Sequence, residues 1–274
     1  MSGVLSPFTV GGTGLHSGVF CSVRVAPAPR GSGIAFITDE GEVPAVPGSL
    51  AEDARRATDL ARGAVRVRTV EHLLAALAWF GELDVRVGVN GPEIPVLDGS
   101  AATWVSTLRA AGAEQGPRLV DLGGSVSLDG PGGARAEITP LEAGETPRIR
   151  VEASFDHPAI GSQSAELELV NGDFVGEIAP ARTFSTVEDA ERLLAEGLAR
   201  GGGLDNALVF GPEGPLNPSG ARFSNEPARH KLLDAIGDLA VLGGLPRARI
   251  ALLRPGHELL HELVRRAEPL LLNQ

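Results

Sequence analysis

Apolar residues recur along the chain with two different periods, which predict two kinds of element. Alternation with period two predicts strands at Phe20–Val25 and Val85–Val89. Helical spacing runs from Val70 to Trp79 and stops before Gly81, which predicts a helix that leads into the second of these strands. A second helix is predicted from Thr103 to Ala111.

The second half of the chain repeats this pattern of strands and helices. Its predicted strands are Val126, Ala134–Ile138, Ile149–Phe155 and Ala248–Leu253, and its predicted helices are His230–Leu242 and Gly256–Leu270, the latter interrupted at Pro269. In both halves a histidine-bearing helix bounded by glycine precedes a strand. The pattern therefore predicts two similar α+β units that face each other, residues 1–117 and 118–274, with the boundary near residues 113–120.

Two segments depart from this pattern and are predicted to be inserts, at about residues 37–68 and 185–203. The second insert contains an amphipathic stretch, Val187–Leu198. The pattern alone favours a helix that packs on its own domain. The alternative is that the stretch forms an apolar wall for a hydrophobic ligand.

Composition and charge narrow the class of protein. Of 274 residues, 43% are hydrophobic and 22% are charged, which is typical of a globular protein. The net charge of −11 and the lack of a basic block argue against a nucleic-acid partner. A single cysteine, Cys21, fits a reducing compartment and a small buried role. With neither a signal peptide nor an apolar run of about 18 residues, we expect a cytoplasmic protein.

Candidate chemistry begins at Lys231, the only lysine, in the segment Arg229–Leu239. His230, Asp234 and Asp238 follow one another at intervals of four residues, so they share one face of the predicted helix. Such a face can chelate a metal ion. The same spacing is also common in surface ion pairs, so the spacing alone does not decide between a metal site and surface ion pairs.

Two more histidines stand at predicted helix starts. His72 could bind a metal while the adjacent Glu71 acts as a base, or it could be a capping or core residue. His257, after Gly256, could be placed for proton transfer or could cap the helix. His261, one turn later, is predicted to lie at the surface. The HExxH motif of zinc proteases is absent from the chain.

Together the motifs resemble the zinc-dependent UDP-3-O-acyl-N-acetylglucosamine deacetylase family of lipid A synthesis over nearly the whole chain. The segments that carry the resemblance, in order, are GTGLHSG (12–18), TVEHLLAAL (69–77), PEIPVLDGSA (92–101), FDHPAI (155–160), ARTF (181–184), GGLDNALV (202–209), RHKLLDAIGDL (229–239) and GH (256–257). The resemblance implies an α+β fold of two β-β-α-α-β layered domains. They pack helix to helix, each with an insert and with the active site between them.

The resemblance also implies roles for individual residues. The implied metal ligands are His72, His230 and Asp234. The implied catalytic residues are Glu71 as general base, His257 as the cationic histidine oriented by Asp238, Lys231 beside the metal, and Thr183 at the oxyanion. Phe155, Phe184 and Lys231 are implied to contact substrate, and residues 187–198 to help form an acyl passage. Ala57 stands where some members of the family carry a cysteine, and Gly203 stands where a serine is common.

The implied cofactor is one Zn²⁺ per chain, although the same ligands accept Fe²⁺. The implied reaction hydrolyses the N-acetyl group of an acylated UDP-sugar to acetate and a free amine. We expect a monomer that touches membranes at most weakly and peripherally. Two alternatives stay open at this point: a metal-dependent deacylase of a different acylated sugar on the same scaffold, and a non-catalytic nucleotide-sugar binding protein.

Overall fold

Two five-stranded sheets with the same strand order form the framework of the protein. A computed structural model describes residues 5–54 and 56–272. The strands are β1 (Phe8–Thr13), β2 (Phe20–Pro27), β3 (Ala35–Thr38), β4 (Gly41–Pro44), β5 (Leu60–Arg62), β6 (Val65–Val67), β7 (Val85–Asn90), β8 (Leu119–Val120), β9 (Val126–Asp129), β10 (Arg135–Pro140), β11 (Arg148–Ser154), β12 (Ser162–Glu168), β13 (Phe184–Thr186), β14 (Leu208–Gly211), β15 (Gly214–Pro215), β16 (Leu245–Pro246) and β17 (Ala248–Leu253). The α-helices are α1 (Glu71–Trp79), α2 (Ala102–Ala110), α3 (Val187–Ala195), α4 (Glu226–Leu239) and α5 (His257–Ala267).

The two sheets correspond strand for strand. Their orders are β1-β2-β7-β3-β4 and β9-β10-β17-β11-β12. In each sheet the central strand, β7 or β17, is antiparallel to one neighbour and parallel to the other. Each unit thus runs as two hairpins, a helix, the central strand and a second helix. The predicted α+β class with two similar units is confirmed, and we propose residues 117 and 118 as the boundary.

In both units the chain leaves its sheet at the same place, between the fourth strand and the first helix. The first such excursion comprises residues 45–70 and the second residues 169–225. The predicted start of the first insert, residue 37, is too early, because residues 35–44 form the β3–β4 hairpin at the sheet edge. The second predicted insert, 185–203, is the central part of a longer excursion that contains α3 and the small sheet β13-β14-β15.

The helices of the two units pack against each other, α1 against α4. Every residue of α1 is buried, as expected for a helix whose residues from Leu73 to Trp79 are all apolar. Gly237 of α4 allows this close approach, because a side chain there would collide with the backbone of Glu71. Cys21 is fully buried, as predicted. None of the helices within residues 5–54 and 56–272 could cross a membrane.

The main predicted elements are present with shifted ends. Helix α4 begins four residues before His230, and its last turn, Ala240–Leu242, is a 3-10 turn that closes at Gly243. Helix α5 likewise ends in a 3-10 turn around Pro269, where the sequence predicts an interruption. The earlier start of α4 matters for the site, because it puts Glu226 in the first turn of the helix.

Candidate active site

Three buried side chains from the two facing helices converge between the domains. His72 lies in the first turn of α1, and His230 and Asp234 lie one turn apart on α4. Asp234 Oδ1 is 3.3 Å from His230 Nε2 and 3.6 Å from His72 Nε2. The side chains of all three are less than 10% exposed. The spacing of four on α4 therefore forms a cluster in the interior and not a surface ion pair.

The donor atoms of this cluster suit a metal ion. Among the described residues, Asp234 Oδ1 is buried without a hydrogen-bond partner. His230 Nδ1 lies 3.1 Å from the carbonyl oxygen of Ala181 and donates to it, which turns Nε2 toward Asp234. Two imidazoles and one carboxylate form a known catalytic zinc set. The three residues thus fit the metal that the family resemblance implies.

The electrostatics of the cluster also favour a cation. Burial lowers the pKa of His230 to about 4, so its imidazole is neutral and free to be a ligand at pH 7. Burial alone would raise the pKa of Asp234, but His230 and Lys231 hold it well below its usual range. Burial would also lower the pKa of His72, but Asp234 raises it overall. Metal binding therefore competes with protonation of His72.

Glu71 sits beside this cluster at the start of α1. Burial raises the pKa of Glu71 to about 7, which is suited to a general base. Its Oε2 atom accepts a hydrogen bond of 3.0 Å from the backbone N–H of Thr58. The chain enters α1 through Thr69, which has a positive φ of 59°. Such a conformation is costly for a β-branched residue, and it places Glu71 and His72 at the cavity.

The strained turn is held by Glu93, a fully buried carboxylate of the PEIPVLDGSA segment. Glu93 Oε1 accepts hydrogen bonds from Thr69 Oγ1 at 2.8 Å and from His16 N at 3.0 Å. Glu93 Oε2 accepts one from Ser17 N at 2.8 Å. One carboxylate thereby joins the 12–18 loop to the start of α1. Sequence reasoning assigned no role to Glu93 or His16.

His257 approaches the cluster from the first turn of α5. Its Nδ1 atom donates to Asp238 Oδ2 at 2.9 Å, and its Nε2 atom lies 3.9 Å from Asp234 Oδ2. Burial disfavours the charged imidazole, but the Asp238 carboxylate raises the pKa of His257 to about 9. His257 is therefore cationic at neutral pH, as an acid for a departing amine requires.

Lys231 and Thr183 complete the polar rim of the cluster. Lys231 Nζ donates to Asp234 Oδ2 at 3.1 Å and lies 5.9 Å from the centre of the Phe184 ring. The backbone of Thr183 is fixed by its N–H to Gly99 at 2.7 Å and by its carbonyl oxygen to Leu208 N at 2.8 Å. Both side chains line the same cavity as His72, His230 and Asp234.

A buried ion pair fixes the segment that carries Thr183 against α4. Arg182 Nε donates to Glu226 Oε1 at 2.8 Å, and the two side chains are 4% and 0% exposed. The Arg182 N–H donates to the same oxygen at 3.0 Å. Because Glu226 is in the first turn of α4, this pair aligns the ARTF segment with His230. The sequence did not predict this ion pair, because no spacing pattern links two residues that are 44 apart in the chain.

The cluster opens into a cavity of about 930 Å³. One wall comes from α3, none of whose residues is fully buried. Its apolar lining includes Leu15, Ala190, Leu193, Leu194, Leu204 and Val209. Phe155 and Phe184 also line it, with ring centres 5.2 Å apart in a T-shaped pair. One side of α3, including Ala190, Leu193 and Leu194, therefore faces a cavity, so the interpretation favoured by the pattern alone, that this helix only packs on its own domain, is wrong.

Most of the candidate residues meet at this cavity. Those that line it are Glu71, His72, Phe155, Thr183, Phe184, His230, Lys231, Asp234 and His257. Asp238 is fully buried behind His257. His261 was predicted to lie at the surface, but it is 4% exposed, because its face of α5 packs toward Asp238 and Thr58. Thr58 was not singled out by the sequence, yet it contacts the carboxylates of both Glu71 and Asp238.

Comparisons with known proteins agree over almost the whole chain. The family model of UDP-3-O-acyl N-acetylglycosamine deacetylase matches residues 2–268. A UDP-3-O-acyl-N-acetylglucosamine deacetylase of Myxococcus xanthus is 43% identical over 262 residues, which covers 93% of this chain and 82% of that protein. Proteins of the same name from Anaeromyxobacter sp. and Nostoc sp. are 45% and 42% identical. Each alignment covers 93% of this chain, with 84% and 93% of the respective relative.

Proposed function

The chain belongs to the UDP-3-O-acyl N-acetylglycosamine deacetylase family, and on that premise we propose which of its residues carry out the reaction. It is a deacetylase that hydrolyses an amide of UDP-3-O-acyl-N-acetylglucosamine in lipid A biosynthesis. As a member of this family it is a metalloenzyme. The choice of metal, the site residues and the fit of the acyl chain are our proposals.

We assign the metal site to His72, His230 and Asp234, with zinc as the ion. The observation that carries this assignment is the buried, unpartnered Oδ1 of Asp234, which lies between two imidazole Nε2 atoms. Zinc in such a set lowers the pKa of water to about 7 and polarises a carbonyl. Fe²⁺ suits the same ligands.

Glu71 and His257 are the proposed proton carriers. Glu71, with one carboxylate oxygen held by the Thr58 N–H, takes a proton from the water that attacks the acetyl carbon. His257 gives its Nε2 proton to the sugar nitrogen as the C–N bond breaks, which yields acetate and the free amine. Asp238 holds the His257 ring from the other side and stabilises its charge.

Thr183 and Lys231 are the proposed electrostatic partners of the reaction. The Thr183 hydroxyl donates to the oxygen that becomes negative during attack, where one lost donor typically costs about 10²–10³ in rate. Lys231 adds a positive charge at the cavity and favours an anionic substrate. Its contact with Asp234 also keeps that carboxylate ionised.

The cavity supports a binding mode for the substrate. We place the 3-O-acyl chain along the apolar side chains of α3, because Leu193 and Leu194 line the cavity there. Phe155 and Phe184 are assigned to the nucleotide and sugar end. The volume of about 930 Å³ is at the upper end of small-molecule pockets, which suits a ligand with a fatty chain. Monomeric state and cytoplasmic location stay predictions from the sequence.

The test of this assignment is acetate release from UDP-3-O-(3-hydroxyacyl)-N-acetylglucosamine by zinc-loaded protein. His230→Ala should abolish both zinc binding and acetate release. Glu262→Ala is the matched control, because Glu262 lies on the exposed side of α5 and pairs only with Arg266 among the described contacts. Stoichiometric zinc without acetate release would instead favour a different acylated sugar as substrate.

A further inference from the structure

The hydroxyl of Thr58 lies at the meeting point of three functional side chains. Thr58 Oγ1 forms a short hydrogen bond with Asp238 Oδ1, and it lies 2.8 Å from His261 Nε2 and 3.1 Å from His257 Nδ1. Thr58 is fully buried and belongs to the first excursion, whereas its partners come from α4 and α5. The contact therefore crosses the interface between the two domains.

The chemistry of the groups fixes the direction of these hydrogen bonds. An ionised carboxylate only accepts, so the single hydroxyl proton of Thr58 goes to Asp238. The lone pairs of Thr58 Oγ1 then face His261, whose Nε2–H donates to them. The Nδ1 proton of His257 is already given to Asp238 Oδ2 at 2.9 Å. The result is a chain of hydrogen bonds in which His261 donates to Thr58 and Thr58 donates to Asp238 Oδ1. His257 donates to the other oxygen of the same carboxylate.

The backbone N–H of Thr58 contacts a second functional carboxylate, that of Glu71. The Thr58 N–H donates to Glu71 Oε2 at 3.0 Å. One residue thus contacts the carboxylate of the proposed base and the carboxylate that orients the proposed acid. A small shift of Thr58 would move both groups relative to the substrate. Displacements of about 1 Å can cost about 10²-fold in rate.

We propose that Thr58 and His261 are positioning residues that hold Asp238, and through it the ring of His257, in the orientation that delivers a proton to the leaving amine. The proposal deepens the proposed function and rests on it. Neither residue lines the cavity, so both act through Asp238 and not on the substrate. His261 fixes the direction of the Thr58 hydroxyl, and that hydroxyl in turn holds the Asp238 carboxylate in place.

The first experiment compares Thr58→Val and Thr58→Ser in the zinc-loaded enzyme. Valine keeps the shape and the backbone N–H but removes the hydroxyl, so we expect kcat to fall about 10- to 100-fold while KM changes less than about twofold. Serine restores the hydroxyl and should return kcat to within about threefold of the wild type. Thr107→Val is the control, because among the described contacts the Thr107 hydroxyl bonds only to Thr103 O within α2.

The second experiment tests whether His261 and Thr58 act as one chain. His261→Leu alone should lower kcat by less than Thr58→Val, since the hydroxyl still donates to Asp238. Adding His261→Leu to Thr58→Val should cause no further loss, because the linking atom is already gone. Independent roles would instead multiply the two losses.

Several outcomes would overturn the proposal: a Thr58→Val enzyme with wild-type kcat, a Thr58→Ser enzyme as slow as the valine variant, losses that multiply in the double variant, or a kcat loss explained by lost zinc. Failure of the proposed function is distinguishable from all of these. In that case the wild-type protein itself would release no acetate in the same assay.

Discussion

Gly237 lies where α1 and α4 come closest, and its replacement by alanine tests the packing on which the site depends. A Cβ atom at Gly237 would lie 2.7 Å from the carbonyl carbon of Glu71 and 2.8 Å from its Cα, whereas ordinary van der Waals contact begins at 3.4 Å. These are backbone atoms, so no side-chain rotation relieves the collision. The helices would have to separate by up to about 1 Å, which would move Glu71 and His72 away from His230.

Two effects oppose each other in Gly237→Ala, and their magnitudes decide the sign. Alanine is favoured over glycine inside a helix by about 1 kcal/mol. Overpacking costs about 1–3 kcal/mol, and a backbone collision belongs at the upper end of that range. We therefore expect the free energy of unfolding to fall by about 2 kcal/mol, and kcat to fall about 10²-fold from the displaced Glu71.

The assay is urea unfolding of chelator-treated protein, together with acetate release by the zinc-loaded enzyme. Gly48→Ala is the control, because a Cβ there meets no described atom within 4 Å. If Gly237→Ala were more stable than the wild type and fully active, helix propensity alone would govern the position. The account of close α1–α4 packing would then be refuted.

Three further predictions concern the ion pairs and the cavity. Arg182→Met leaves Glu226 buried without its partner and should lower the free energy of unfolding by about 3–5 kcal/mol in urea titrations; a loss below about 1 kcal/mol would contradict the buried pair. The pKa of His257 is raised to about 9, so its stabilisation of the metal-free protein is complete below pH about 6.5 and is lost as the pH rises through about 9. Across that window the free energy of unfolding of the wild type should decline by about 3 kcal/mol, whereas that of Asp238→Asn should change much less. Equal declines in the two proteins would argue against the ion pair of His257 and Asp238. Leu193→Glu should raise KM for the acylated substrate about tenfold or more and leave zinc content unchanged, and an unchanged KM would exclude α3 from the acyl site.

The sequence predicted the helices of the site because their signals are local. Apolar spacing and flanking glycines mark α1 and α4, and the interval of four residues puts His230, Asp234 and Asp238 on one face. The resemblance then linked these helices to His257. The spacing and the flanking glycines each lie within a single element, so they do not depend on how the chain folds back.

The supporting contacts could not be predicted in this way, because they join residues far apart in the chain. Thr58 is 180 residues from Asp238 and 203 from His261, and its position depends on the path of residues 45–70. His261 was predicted to lie at the surface. His261 is buried because Asp238 of α4 and Thr58 of the first excursion lie opposite it. The β3–β4 hairpin was missed because charged and glycine residues interrupt its alternation.

The central claim is that the buried cluster binds a catalytic metal while Glu71 supplies the base. The most direct measurement determines bound zinc and acetate release on the same samples of wild type and Glu71→Gln. The account predicts one zinc per chain in both proteins, with acetate release by the wild type and a loss of at least about 10²-fold in the variant. Acetate release by Glu71→Gln at the wild-type rate, or a wild type that turns over without metal, would contradict it.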